Sequence, residues 1–512
     1  MKFPAVFTLF IGCAVWQKYA QALAAHPFTT TTTKTAEHLP LAQQAMEYIN
    51  QSTDPFHAVQ TSIRTLQQAG FVELEETAAP MLKIQPGGKY YMTRNRSTLV
   101  AFAVGQQYHA QAGFQIIGGH TDSPNLRVKA RSKRTANGCI QLGVECYGGG
   151  LWHTWFDRDL GLSGRVLVRQ SDDSIAQQLV QIDRALLRIS NLAIHLQTAK
   201  EREAFAFNKE DHLSPILAME VKKALTGTTE KTQEEEEEDN HKKDGWTEHQ
   251  EPALLQILAH ELQVETSQIV DFELCLFDTQ KAALGGAYSE FLHGGRLDNL
   301  ASCFMAVQAL VNHVQGKKLD EASGIAMIVL YDHEEVGSGS AVGAASPIMT
   351  ETIRRITTAL NDQRQDLELY NQVISRSFCL SADQAHAIHP NYAGKHEKLH
   401  QPAMNAGMVI KRNTNQRYAT TVLTGVLMRE VARRAQLPPL QEFMIRQDCG
   451  CGSTIGPLIS ERTGMRTIDM GCPQLSMHSI RETMGVCDLT NGLNLFQAFF
   501  EHFPQVDASV GK

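Results

Sequence analysis

The stretch that most constrains the 512-residue chain is Ile325 to Ser338, IAMIVLYDHEEVGS. It opens on an unbroken apolar run, Ile325 to Leu330. So short a run, with no alternation, predicts a strand covered on both faces, as in a parallel sheet layered with helices. The run stops at four ionisable side chains, Asp332, His333, Glu334 and Glu335, followed by Gly337 and Gly339. Open α/β sheets bind ligands just beyond the carboxyl ends of their strands. Two adjacent carboxylates there repel each other unless a cation or a proton offsets them. One of them can ligate a metal while the other serves as general base. An isolated Glu-Glu pair is also an ordinary solvated turn, so the rest of the chain has to supply the partners of a metal site.

Periodicity predicts a helix over Ala36 to Gln51, and a second one starting at Asp54-Pro55 and ended by Gly70. The second pair of residues is a capping side chain followed by proline at the first helical position. Leu99 to Val104 and Phe114 to Ile117 read as strands, the latter running into Gly118-Gly119-His120-Thr121-Asp122. From about Lys129 the texture becomes β-rich, with Gly148-Gly149-Gly150, Trp152, Trp155 and Val166 to Val168. An apolar segment, Leu192 to Leu196, carries His195; taken alone it reads as a core histidine. Thr226 to Gln250 is acidic and low in complexity, a composition that favours a solvated loop. Further on, the pattern predicts a helix at Leu254 to Leu262, a strand at Phe272 to Phe277, and a helix opened by Arg296-Leu297-Asp298-Asn299. Strands follow at Ser377 to Ser381 and Thr467 to Met470. Alternating strands and helices imply an α/β fold with a mainly parallel sheet.

The bulk numbers exclude some classes. A net charge of −8 offers no electrostatic footprint for nucleic acid or an anionic membrane. Ten cysteines scattered through a long chain form no small-domain disulfide framework, and Cys449 and Cys451 are too close for a zinc knuckle. Lys2, the apolar Phe3 to Trp16 and the small residues around Ala25 outline either a secretory signal or a variable tail. Asn50 and Asn95 begin glycosylation triplets, which are common by chance.

His120, Glu334, Glu335, Asp383 and His478 all follow the ends of predicted buried strands, and Asp298 opens a helix. If the sheet is parallel, these ends share one rim. Two histidines and several carboxylates suit zinc, with manganese or cobalt as substitutes. Asp122, two residues after His120, is placed to orient that imidazole. Taken singly, each residue has an ordinary reading as a cap, a turn or a surface group.

HTDSP at His120–Pro124, GRLDNL at Gly295–Leu300, DHEEVGS at Asp332–Ser338, SADQAHAIHPNY at Ser381–Tyr392 and LSMHSIRE at Leu475–Glu482 resemble the aspartyl aminopeptidases of the M18 metallopeptidase family. YGGG at Tyr147–Gly150, WFDRDL at Trp155–Leu160 and NQRYA at Asn415–Ala419 are similar too, and the resemblance spans about Ala36 to Pro504. It implies two zinc ions per subunit held by His120, Asp298, Glu335, Asp383 and His478, with Asp298 bridging. Glu334 would be the general base, while His195, His386, Lys411 and Tyr418 would contact substrate; Asp122, through its hold on His120, counts with the catalytic residues. The implied reaction is release of an unblocked N-terminal Asp or Glu from peptides. The implied assembly is a dodecamer built from dimers, in which His195 completes a neighbour's site.

The same resemblance divides the chain into an N-terminal extension (1–35), a zinc-exopeptidase catalytic domain (36–128 and 271–505) and an inserted β-rich dimerisation domain (129–270). His333 stands where the family has Asn, which puts a titratable ring beside the base. The expected compartment is the cytoplasm, or a secretory or vacuolar one if residues 1–25 act as a signal. No nucleic acid and no stable membrane association is expected. Two rivals remain: a related dinuclear aminopeptidase or amidohydrolase of different specificity, and a catalytically silent oligomeric shell.

Overall fold

The computed structural model describes residues 36–76, 84–110, 112–220, 245–361 and 367–510. The N-terminal extension and most of the Glu-rich stretch lie outside the described residues.

The first strands are β1 (Val72–Glu73), β2 (Lys89–Arg94), β3 (Thr98–Val104) and β4 (Phe114–His120). An excursion follows through β5 (Asn125–Ala136), β6 (Cys139–Tyr147), β7 (Leu160–Arg169), β8 (Ile175–Leu187), β9 (Ile216–Met219) and β10 (Ile269–Asp278). The chain returns by β11 (Ala283–Gly285) and β12 (Phe291–Gly294) to β13 (Ile325–Tyr331), β14 (Phe378–Ala382) and β15 (Ala385–His386). The last strands are β16 (Val409–Arg412), β17 (Gln441–Met444), β18 (Arg466–Gly471), β19 (Pro473–Leu475) and β20 (Glu482–Gly485). They form a nine-stranded sheet ordered β1-β2-β3-β13-β4-β14-β18-β16-β17, a six-stranded sheet β8-β7-β10-β5-β6-β9, and a five-stranded sheet β11-β12-β20-β19-β15.

The centre of the large sheet, β13-β4-β14-β18, is parallel, and antiparallel neighbours flank it on both sides. The apolar run of β13 explains its place there. Ala326, Ile328 and Leu330 face one core, and Ile325, Met327, Val329 and Tyr331 face the other. Both faces are therefore covered, and each Ile, Leu, Val or Met side chain contributes about 1.5–3 kcal/mol by leaving water. One face is layered by α1 (Leu39–Gln51), α2 (Pro55–Gln68), α4 (Leu297–Gln315) and α7 (Val486–Ser509). The other is layered by α5 (Ile348–Leu360) and α6 (Ile455–Thr463), while α3 (Pro252–Leu262) covers the six-stranded sheet. Asp54 caps α2 as its sequence predicts, accepting from the backbone N–H of Phe56 at 2.8 Å and of His57 at 3.0 Å.

α4 is buried on nearly all sides, packed between the large sheet and α7. The strand at Phe272 to Phe277 belongs to β10, which pairs antiparallel with β7 and β5, so the six-stranded sheet runs from Asn125 to Asp278.

Near the end of α4 lies His313, 3% exposed, with Nδ1 unpartnered and its ring 5.6 Å from that of Phe500. Burial pushes its pKa from 6.5 down to about 4, against the opposing pull of Glu501. The folded ring stays neutral while the unfolded chain takes up a proton, so stability is lost as pH falls from 6.5 towards 4, by about 3 kcal/mol in all. His313→Leu should therefore narrow the difference in Tm between pH 7 and pH 5. An unchanged difference in paired melts would refute the assignment.

Candidate active site

Strand register gathers the ionisable residues at one rim. His120, the last residue of β4, lies beside Tyr331 of β13, and Ser381 of β14 lies beside Gly118. The residues just past those ends, Asp332 to Glu335 and Asp383, emerge together. Asp298 joins them from the first turn of α4, and His478 from the loop between β19 and β20.

The groups converge closely. His120 Nε2 is 3.5 Å from both Asp298 Oδ1 and Asp383 Oδ1. His478 Nε2 is 3.5 Å from Asp298 Oδ2 and 3.3 Å from Glu335 Oε2. Asp298 thus offers one oxygen to each histidine. Backbone carbonyls fix both rings: His120 Nδ1 donates to Asp122 O at 2.9 Å and His478 Nδ1 donates to Gly149 O at 2.9 Å. A carbonyl can only accept, so each Nδ1 carries a proton and each Nε2 is turned to the carboxylates; burial lowers the basicity of both rings, but the facing carboxylates outweigh it and raise both, His478 to about 10.

Asp122 reaches beyond the His120 ring. Its carboxylate is 3.5 Å from the His120 ring, while its carbonyl makes the hydrogen bond. The carboxylate also accepts from the N–H of Glu334 at 3.1 Å, from the N–H of Glu335 at 3.0 Å and from the Tyr147 hydroxyl at 2.6 Å. It holds the backbone of the Glu-Glu turn, and it ties that turn to β6 of the second sheet.

So many carboxylates in one buried place are mutually destabilising. Burial, reinforced by Asp383, Asp122 and Asp298 against the pull of His120, pushes Glu334 up to about 8. Burial and then the charge of Asp298 push Glu335 well above the usual range. Two buried oxygens, Asp298 Oδ1 and Glu335 Oε1, have no hydrogen-bond donor. An orphaned buried carboxylate oxygen is costly, and divalent cations offset both the orphaning and the repulsion. Imidazole nitrogens mixed with carboxylate oxygens are a donor set that suits zinc. Three groupings meet ligand spacing: His120, Asp298 and Asp383; His120, Glu334 and Glu335; and Asp298, Glu335 and His478.

The cluster opens on a cleft of about 600 Å³ whose lining includes Glu334, Asp383, His386, Lys411, Tyr418 and Thr454. A model of the family described as aminopeptidase I zinc metalloprotease (M18) matches residues 48–500. The chain belongs to the M18 peptidase family. It is 46% identical over 497 residues to an aspartyl aminopeptidase of Aspergillus oryzae, covering 94% of this chain and 99% of that one. It is 43% identical to an aspartyl aminopeptidase of Dictyostelium discoideum, covering 92% and 98% of the two chains. Among solved structures, a chain from the Ape4 and Nbr1 complex superposes with a TM-score of 0.87 at 41% identity, covering 93% of this chain and 89% of that one. The S. cerevisiae mApe1 dodecamer gives a TM-score of 0.80 at 31% identity, covering 92% and 99%. As a member of this family the protein is a hydrolase, a zinc aminopeptidase.

In this M18 peptidase the remaining sequence candidates fall into two places. Lys411 is 2% exposed, and its ammonium donates to Asp383 Oδ2 and to Gln384 O, each at 3.0 Å. Two of its three donors are used, which leaves one for a ligand. Tyr418 is buried with its ring centroid 5.2 Å from that ammonium, and His386 stands at the solvent side of the cleft. His195 is elsewhere. It sits on a turn, Ile194–Leu196, of the region between β8 and β9, and it is exposed. The core-histidine reading fails, because this apolar segment faces outward: Leu192 is 53% exposed, Ile194 59% and Leu196 71%.

Sequence reasoning missed Glu482, although it closes the quoted motif LSMHSIRE. Its carboxylate, 2% exposed, accepts from Asp298 N at 3.1 Å, His478 N at 2.9 Å and Gln474 Nε2 at 3.2 Å. Both oxygens face N–H donors, so an amide in its place must set a donor against a donor. Glu482→Gln should weaken zinc retention about 10- to 100-fold. Zinc content after dialysis against graded chelator would test this, and wild-type retention would reject the clamp.

Proposed function

We propose that this M18 peptidase removes an unblocked N-terminal Asp or Glu from peptides, with two zinc ions per subunit. His120, Asp298, Glu335, Asp383 and His478 would hold the zinc, with Asp298 shared. The observation that carries this reading is the convergence of two imidazole Nε2 atoms on the carboxylates of Asp298, Glu335 and Asp383 at the floor of a cleft. Zinc, when bound, supplies a Lewis acid that polarises the scissile carbonyl and makes water nucleophilic near neutral pH; manganese or cobalt could substitute.

The chain's own residues do the rest. Glu334, held by its backbone to Asp122, takes the proton from the attacking water and returns it to the leaving amine. The free donor of Lys411 meets the substrate's acidic side chain, as a charge-assisted hydrogen bond in a water-poor wall. Tyr418 and His386 border that subsite.

The inserted segment 129–270 serves dimerisation, and dimers assemble into a dodecamer like the one solved for mApe1. The outward apolar segment around His195 supports this, because single copies rarely leave such a patch uncovered. Cytoplasmic residence fits the unpaired cysteines among the described residues. Among those residues no helix is long and apolar enough to cross a membrane.

The test is a panel of Asp-, Glu-, Leu- and Lys-chromogenic amides. kcat/KM should favour Asp and Glu by about 10²-fold, and chelator should abolish turnover until zinc is returned. A preference for Leu or Lys would overturn the specificity, and indifference to chelator would overturn the metal assignment.

A further inference from the structure

Cys449 and Cys451 flank Gly450 in the loop between β17 and α6, and both are partly exposed. The residues that follow, Gly452, Ser453 and Thr454, line the substrate cleft. The Cys451 thiol makes a side-chain contact with the Tyr418 hydroxyl, and Cys451 packs on the small core of Ala385, Val409, Tyr418 and Phe443. The Cys449 sulfur lies 3.8 Å from Asp448 Oδ1, and the same carboxylate pairs with the Arg446 guanidinium at 2.6 Å. Among the described cysteines, Cys275, Cys303, Cys379 and Cys472 are fully buried and unsuited to exchange.

The backbone permits the two sulfurs to meet. Two residues of extended chain span roughly 7 Å, the upper edge of what a disulfide bridges. The chain already bends at Cys449, and an added Cβ at Gly450 or at Gly452 would meet nothing within 4 Å, so the loop has room to tighten. Its ends are anchored, by Arg446 to Gly394 O at 3.2 Å on one side and by Ser453 Oγ to Arg417 O at 3.1 Å on the other.

We propose that Cys449 and Cys451 are a redox modification site, oxidised to an internal disulfide by a small-molecule disulfide of the glutathione type. One thiol, as its thiolate, attacks a sulfur of the oxidant and releases the first small thiol. The second thiol then attacks the mixed disulfide and releases the other. Two protein thiols and one disulfide give one protein disulfide and two small thiols, the departing thiolates taking up the two protons. Closure draws Cys451 away from Tyr418 and shifts Gly452 to Thr454. The metal-ligating cluster lies on other elements, so the effect falls on substrate binding.

The test treats the zinc-loaded enzyme with oxidised glutathione. Peptide mapping should show the segment holding both cysteines lighter by two hydrogens and closed to alkylation until a phosphine reductant is added. KM for the Asp amide should rise several-fold, with kcat changing less, and reduction should restore it. Cys449→Ser should match the untreated enzyme and keep its KM under oxidant. A persistent glutathione adduct without the internal bond overturns the proposal, as does an internal bond that leaves KM unchanged, or an equal KM rise in Cys449→Ser. The kinetic arm rests on the aspartyl-specific reading. The mapping arm does not, so failure of that reading shows separately as reduced enzyme inactive on the Asp amide.

Discussion

Glu334→Gln should keep its zinc and lose at least ~10²-fold in turnover. The amide matches the carboxylate in size but cannot take a proton from water. The backbone anchor survives, since it is the Glu334 N–H that donates to Asp122 at 3.1 Å. Glu335, facing His478 at 3.3 Å, is untouched. The contrast is with His120→Ala and His478→Ala, which should shed metal. Zinc content and kcat measured on the same preparations separate the two kinds of loss. A zinc-replete Glu334→Gln enzyme with substantial turnover would remove Glu334 from the reaction.

The second large effect is a recovery. His195→Phe homo-oligomers and Glu334→Gln homo-oligomers should each be nearly inactive, while hybrids of the two regain activity. In a two-fold dimer each subunit lends the same surface to the other. A His195→Phe subunit keeps its own base and borrows His195 from its Glu334→Gln partner, so one site in each hybrid dimer works. The exposed position of His195, outside the cleft of its own chain, motivates the experiment. If His195→Phe alone is fully active, or if verified hybrids gain nothing, the cross-subunit role is wrong.

What the sequence made legible was set by local physics. An apolar run that stops at charge predicted β13 and its functional end, because burial on both faces needs no knowledge of neighbours. The convergence of His120, Glu335 and Asp383 followed from parallel pairing. Long-range hydrogen bonds were not legible. Glu482 reads as an ordinary surface acid until Asp298, 184 residues earlier, is placed against it. Proximity in sequence placed Asp122 beside His120, but it could not show the three donors from other elements that its carboxylate also accepts from. His195 looked like core because its neighbours are apolar, and periodicity cannot say whether an apolar stretch faces inward or towards another chain.

The Glu482 clamp has a consequence in time. The rim draws on side chains from residue 120 to residue 482, and Glu482 fastens Asp298 to His478 only once the chain has been made through residue 482. Ribosomes emit the amino-terminal parts first, over many seconds for a chain this long. Every newborn copy therefore carries an unfinished rim until its closing stretch emerges. It comes into being among half-made polypeptides with exposed amino ends, and it has no means of cutting them.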